Sequence, residues 1–283
     1  MHSFRGLKAP APSATLIYNC SILPSNGNRA ARVFTMEDMD TAAQSAEAQV
    51  YIEPGFHWDA QAAYLFDIDG TLLRNRDRIH RDSFAVGVQQ VTGFDVLQHL
   101  FLTPGGTDPA ILRDALVNAG IPCEVFEPKW SLMLEAIHKA FEERRHLMDI
   151  YLMPGVEETL AHLARRGAVL GVATGNLEAI GWAKLEEVGV RAWFRFGGFS
   201  DNFPDRAELI GNAVRKAREL AGADAQVCVV GDTPRDVEAA RSNGLPVISV
   251  ATGRFSFETL LELRPDACAT SLADLLAQTA VAP

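Results

Sequence analysis

Four short apolar runs, AYLF (63–66), LGVAT (170–174), VCVVG (227–231) and PVISV (246–250), constrain this chain more than any other feature. The last three are rich in β-branched residues and all four lack the polar alternation of half-exposed strands, so each reads as a strand buried on both faces. Between them lie VEETLAHLARRG, LEAIGWAKLEEVG, RAELIGNAVRKARELAG and DVEAARSNG, with apolar residues at three- and four-residue steps and a terminal glycine to stop each helix. Strand and helix alternate. That order predicts an α/β fold, a Rossmann-like doubly wound parallel sheet with helices on both faces.

The rhythm breaks over 76–149, where RDSFAVGVQQVTG, DPAILRDALVNAG and SLMLEAIHKAFEERRHL are helical with no strand between them. The segment reads as an inserted α-helical cap, which leaves 61–75 and 150–283 as a discontinuous α/β core. Because the insert starts just after the first strand, it hangs over that strand's carboxyl end. Residues 1–60 form an N-terminal extension. Its first 35 residues carry Arg5, Lys8, Arg29 and Arg32 but no acid, whereas Glu37, Asp38 and Asp40 follow at once. Three readings stay open: a transit peptide, a signal-like leader, or translation from Met36 or Met39. On each, little packed structure is expected before about residue 60. The compartment expected is cytoplasmic, or an organelle or the exterior if the leader is genuine.

A composition of 48% hydrophobic and 22% charged residues belongs to a globular protein. The net charge of −10 argues against a sequence-independent nucleic-acid binder, which needs a concentrated basic surface. No apolar run is long enough to span a bilayer, so no membrane partner is expected. Cys20, Cys123, Cys228 and Cys268 are far apart and form no CxxC pair, which suits a reducing compartment and buried packing roles.

In open parallel sheets ligands bind beyond the carboxyl ends of the strands. The first strand is followed by Asp67-Ile68-Asp69-Gly70-Thr71, the second by Thr174-Gly175-Asn176, and the third by Asp232-Thr233-Pro234-Arg235-Asp236. Gathering Asp67, Asp69 and Asp232 is costly, since two carboxylates about 4 Å apart repel by roughly 4 kcal/mol at an effective dielectric of 20. A hard divalent cation offsets that repulsion. Mg²⁺ suits it, with a few oxygen ligands, water and a substrate phosphate oxygen. An EF-hand is excluded, because counting from Asp67 puts Arg78 where the loop needs its closing Glu.

Together DIDGT, ATGN and GDTPRD resemble the signature set of the haloacid dehalogenase-like (HAD) superfamily of phosphohydrolases. Within it the chain looks most like phosphoglycolate-phosphatase-like members with an α-helical cap, from about Tyr64 to the C-terminus. The resemblance implies that Asp67 is the nucleophile, forming an aspartyl-phosphate, and that Asp69 protonates the leaving oxygen and then activates water. It implies that Gly70 and Thr71 shape the turn, that Thr174, with Gly175 and Asn176, faces the phosphoryl group, and that Asp67, Asp69, Asp232 and Asp236 surround Mg²⁺. Where the family usually places a lysine, this chain reads SDNFPDRAELIGNA; the cation is Arg206 or, in the helix after Thr174, Lys184. In the cap, Thr107, Asp108 and Arg113 are candidates for substrate recognition, although Asp108 also fits a helix cap before Pro109. Asp236 equally fits a capping role after Thr233. His80, His99, His138 and His146 lack partners at telling spacings and read as structural. The function expected is an Mg²⁺-dependent phosphatase acting on a small phosphorylated metabolite, 2-phosphoglycolate-like or a sugar phosphate. A sugar-phosphate mutase and a non-catalytic phosphate-binding module are the alternatives.

Overall fold

A computed structural model describes residues 48–101 and 103–280. The strands are β1 (Val50–Ile52), β2 (Ala63–Phe66), β3 (Leu73–Asn75), β4 (Ile150–Leu152), β5 (Val169–Ala173), β6 (Phe196–Gly198), β7 (Val227–Gly231), β8 (Val247–Val250) and β9 (Ala267–Ala269). Seven form one sheet in the order β1-β9-β8-β7-β2-β5-β6. All neighbours in it are parallel except β1, which closes the edge antiparallel to β9. From β2 the chain order runs outward in both directions as far as β9 and β6, so β2 marks the switch point where a crevice opens beyond the strand ends.

Helices cover both faces because every central strand is apolar on both. The α-helices of six residues or more are α1 (Ile79–Thr92), α2 (Asp108–Asn118), α3 (Trp130–Glu142), α4 (Val156–Arg165), α5 (Glu178–Glu187), α6 (Arg206–Ala221), α7 (Pro234–Ser242) and α8 (Leu272–Ala277). On one face Tyr64, Phe66, Leu170, Val172 and Val230 pack with Leu160 and Leu163 of α4 and Leu275 of α8. On the other, Leu65, Val169, Val229 and Val247 pack with Leu209, Ala213 and Ala217 of α6 and Val237 and Ala240 of α7. The period of two along each strand divides the core between these layers.

A third apolar cluster gathers Phe84 and Val88 of α1, Leu112 and Leu116 of α2, and Met133, Ile137 and Phe141 of α3. Leu177, Ile180 and Ala183, at and within α5, join it from the sheet side, so the helical segment is packed onto the α/β layer. The chain enters and leaves that segment through β3 and β4, paired antiparallel with Asn75 opposite Ile150.

Residues 1–47 lie outside the described residues, and the leader readings with them. Over residues 48–60 the expectation of little packing is corrected, because β1 covers the exposed edge of β9 and Trp58 is buried. An uncovered strand edge leaves backbone groups unpaired, and β1 supplies their partners. Cys228 and Cys268 are buried, and burial pushes both thiols up, Cys268 to about 12, so they act as apolar packing groups. Among the described residues no helix is long and apolar enough to cross a membrane.

Candidate active site

β2 lies between β5 and β7, so the loops after these three strands meet. Asp67 follows β2, and its N–H donates to Val230 O of β7 at 2.9 Å. Ile68 is fully buried in the core and anchors the turn between the two aspartates. Gly70 turns the chain at φ 96°, a left-handed conformation that a side chain opposes. Thr71, buried, donates from Oγ1 to Asp232 Oδ1 at 3.0 Å, so it ties the first loop to the third as well as shaping its own turn.

The site divides around two cations, and both residues left open by the sequence are present. Arg206 opens α6, and its Nη2 lies 3.0 Å from Asp67 Oδ1. The same guanidinium binds Asp236 through Nε and Nη2 and donates from Nη1 to Gly105 O at 3.2 Å. Lys184, on α5, sits instead on Asp69: its Nζ is 2.8 Å from Oδ1 and 2.7 Å from Oδ2. Asn176 bridges the second loop to this half, donating from Nδ2 to Asp69 Oδ2 and Thr174 Oγ1, each at 2.7 Å. The fork of an arginine and the point charge of a lysine thus serve different aspartates.

Asp67, Asp232 and Asp236 are buried, with one carboxylate oxygen of each within 4.8 Å of the others. Burial pushes Asp67 up to about 7; Arg206 pulls it down and Asp236 pushes it further up. Burial likewise raises Asp232 well above the usual carboxylate range, and the charges of Asp67 and Asp236 add to the effect. For Asp69 burial works upward too, but the Lys184 ammonium outweighs it and holds the carboxyl down at about 2. Arg206 is held firmly protonated: burial lowers it, and the charges of Asp236 and Asp67 more than reverse that.

Three buried carboxylates facing one guanidinium carry surplus negative charge, and oxygen donors at this spacing suit a hard divalent cation. Asp67 and Asp232 are the freer ligands. Asp236 spends Oδ2 on the N–H and hydroxyl of Thr233 in a capping box and Oδ1 on Arg206, so the capping alternative for it is realised. Asp69 was expected among the metal ligands, but Lys184 draws its carboxylate to the other half of the site.

The loop before α2 lies across this crevice. Asp108 N donates to Gly175 O at 2.7 Å, and Thr107 Oγ1 donates to Pro204 O at 2.7 Å. Asp108 Oδ2 lies 2.9 Å from His80 Nε2 and accepts the Leu177 N–H at 2.8 Å. Thr107 and Asp108, expected to recognise substrate, therefore spend these groups on the seam between helical segment and core. Arg113 pairs with Glu127 and lies over the Trp130 ring, within the helical segment.

Sequence reasoning missed His80, Asn75, Thr252 and Gly253. Asn75 donates to Asp69 Oδ1, and Thr252 donates from Oγ1 to Gly70 O at 2.6 Å. A methyl at Gly253 would overlap the Asp232 carboxylate. Thr252 and Gly253 were findable, since they follow β8 as the other site loops follow their strands. His80 had no such signal, for its partners stand 28 and 104 residues away.

A family model described as haloacid dehalogenase-like hydrolase matches residues 62–244. A phosphoglycolate phosphatase of Agrobacterium fabrum is 29% identical over 214 residues, covering 71% of this chain and 85% of that protein. A phosphoglycolate phosphatase of Pseudomonas savastanoi pv. phaseolicola is 28% identical over 204 residues, covering 67% and 69%. Among solved structures, a predicted phosphoglycolate phosphatase from Haemophilus somnus aligns at TM-score 0.56 and 21% identity, covering 79% of this chain and all of that one. CbbY from Rhodobacter sphaeroides, solved with phosphate, aligns at TM-score 0.55 and 21% identity, covering 76% and 96%. The two structures share the fold, the family match spans more than half of the sequence, and the chain belongs to the haloacid dehalogenase-like hydrolases.

Proposed function

We propose that this enzyme is an Mg²⁺-dependent phosphatase that hydrolyses a small phosphorylated metabolite through an aspartyl-phosphate on Asp67. The observation that carries the reading is the separation of Asp67 from Asp69: two aspartates with only Ile68 between them are held by different cations, Asp67 by Arg206 beside the buried carboxylates that would hold a metal and Asp69 by Lys184 apart from them. A bound cation at Asp67 would favour its ionised, nucleophilic form.

Asp67 Oδ attacks phosphorus while the bond to the leaving oxygen breaks, and Asp69, in its protonated form, gives that oxygen a proton. Water then attacks the phosphoryl group and gives its proton to Asp69, and phosphate leaves with the Asp67 carboxylate restored. Arg206 holds Asp67 and balances charge beside the phosphoryl group, and Thr174 donates its hydroxyl hydrogen to a phosphoryl oxygen. Asn176 keeps Thr174 and Asp69 in register. Asp67 and Asp232 would hold the Mg²⁺, whose chemistry is to neutralise charge on the phosphoryl oxygens. The helical segment, 76–149, is the cap that excludes water and reads the leaving group.

The relatives named phosphoglycolate phosphatase favour a short phosphorylated acid as substrate, with sugar phosphates next. Phosphate release with Mg²⁺ from 2-phosphoglycolate, sugar phosphates and an aryl phosphate tests the reading. Asp67→Asn is expected to lose at least about 10³-fold in kcat. Equal release by wild type and variant would leave a phosphate-binding module, and transfer of phosphate to a sugar rather than water would indicate a mutase.

A further inference from the structure

The proposed reaction uses Arg206 and leaves the second cation without a task. Lys184 is 1% exposed, at the seam where α5 meets the helical segment. An ammonium has three N–H donors and no acceptor. One goes to Asp69, shared between its two oxygens, one to Asn176 Oδ1 at 2.8 Å, and one to His80 Nδ1 at 3.1 Å. His80 Nδ1 must therefore be an acceptor, which places the ring proton on Nε2, facing Asp108 Oδ2 at 2.9 Å. The Leu177 N–H secures Asp108 in turn. The three Lys184 donors and the His80 ring proton are thus assigned, and no Lys184 donor is left for phosphate.

We propose that Lys184 is a positioning residue for Asp69, and that His80, held by Asp108, positions Lys184 from the cap side. The inference rests on the acid/base role of Asp69 given above. The four-carbon stem of a lysine is flexible, and a buried ammonium turns toward whatever satisfies its donors. His80 and Asp108 belong to the inserted helices, whereas Asp69, Asn176 and Lys184 belong to the core. The setting of Asp69 thus depends on the insert being seated. Arg206 shows the same arrangement in the other half of the site, with one donor spent on Gly105 O of the insert.

A mispositioned proton donor costs most when the leaving oxygen is a poor leaving group. The full-length enzyme with Mg²⁺ is assayed on p-nitrophenyl phosphate, phenyl phosphate and an alkyl phosphate, as wild type, Lys184→Met, His80→Phe and His80→Asn. Lys184→Met and His80→Phe are expected to lose about 10²-fold in kcat on the alkyl ester and less than about tenfold on p-nitrophenyl phosphate, with KM little changed. His80→Asn offers an oxygen near the place of Nδ1 and should recover most of that loss. A uniform loss across the three esters, a change confined to KM, or wild-type behaviour of His80→Phe would overturn the proposal. Should Lys184→Met fail to fold, the two His80 variants decide, since that side chain is only partly buried. Asp67→Asn and Asp69→Asn run alongside: if both release phosphate like wild type, the phosphatase reading itself fails, whereas two dead variants with a uniform Lys184→Met loss sink only the positioning role.

Discussion

Asp232 is crowded on three sides. Thr71 donates to one of its oxygens, and a methyl at either Gly70 or Gly253 would overlap its carboxylate. A residue held this closely has one orientation to offer a cation. Gly253→Ala is therefore expected to weaken Mg²⁺ binding by about 10–100-fold, as loss of an outer support does in metal sites. The dependence of activity on Mg²⁺ concentration reads this directly, and an unchanged half-saturation point would contradict it. Asp67 and Asp232 were legible in the sequence because each follows an apolar strand immediately. The division of labour between Arg206 and Lys184 was not, because it depends on His80, Asp108 and Asp236, whose proximity only the packed chain creates.

Among the elements, β2, β5, β7 and β8 were legible as apolar runs, and the helices between them as amphipathic repeats. The short strands were not. β6 is Phe-Gly-Gly and β9 is Ala-Cys-Ala, three residues each, and neither length nor composition separates them from loop. They are strands because a parallel neighbour offers a ladder and a helix covers them. α6 covers β6 and its neighbours, lying on one face of the sheet through Leu209, Ile210, Ala213 and Ala217, and α8 lies against β9. Leu209 is fully buried, so Leu209→Ala should cost about 2–5 kcal/mol in urea unfolding. Leu220→Ala, on the same helix but 41% exposed, should stay within about 0.5 kcal/mol. Equal costs would mean that α6 does not pack as described.

For the whole molecule, the two signs of carboxylate shift set a pH window. Asp67 and Asp232 have folded values raised above the ordinary carboxylate, so they favour the folded chain at low pH, and that contribution disappears as pH rises through about 7 for Asp67. Asp69 is lowered to about 2, so its contribution is present above the ordinary carboxylate value and is lost as pH falls toward 2. With metal chelated by EDTA, the melting temperature should fall between about pH 5.5 and pH 8. Excess Mg²⁺ should raise it more at the upper end, because a bound cation favours the ionised carboxylates. An equal Mg²⁺ effect at both ends would speak against the buried trio as the binding site.

The antiparallel pairing of β3 with β4 has a consequence for how such a molecule can diversify. Asn75 and Ile150 face each other, and Arg76 N donates to Asp149 O at 2.8 Å, so the insert leaves and rejoins the core at neighbouring points. Whatever is spliced between those two positions, long or short, leaves the order of the sheet untouched. The scaffold is in that sense inherited independently of the insert, whereas the loops at the strand ends answer to both, through His80, Asp108 and Gly105.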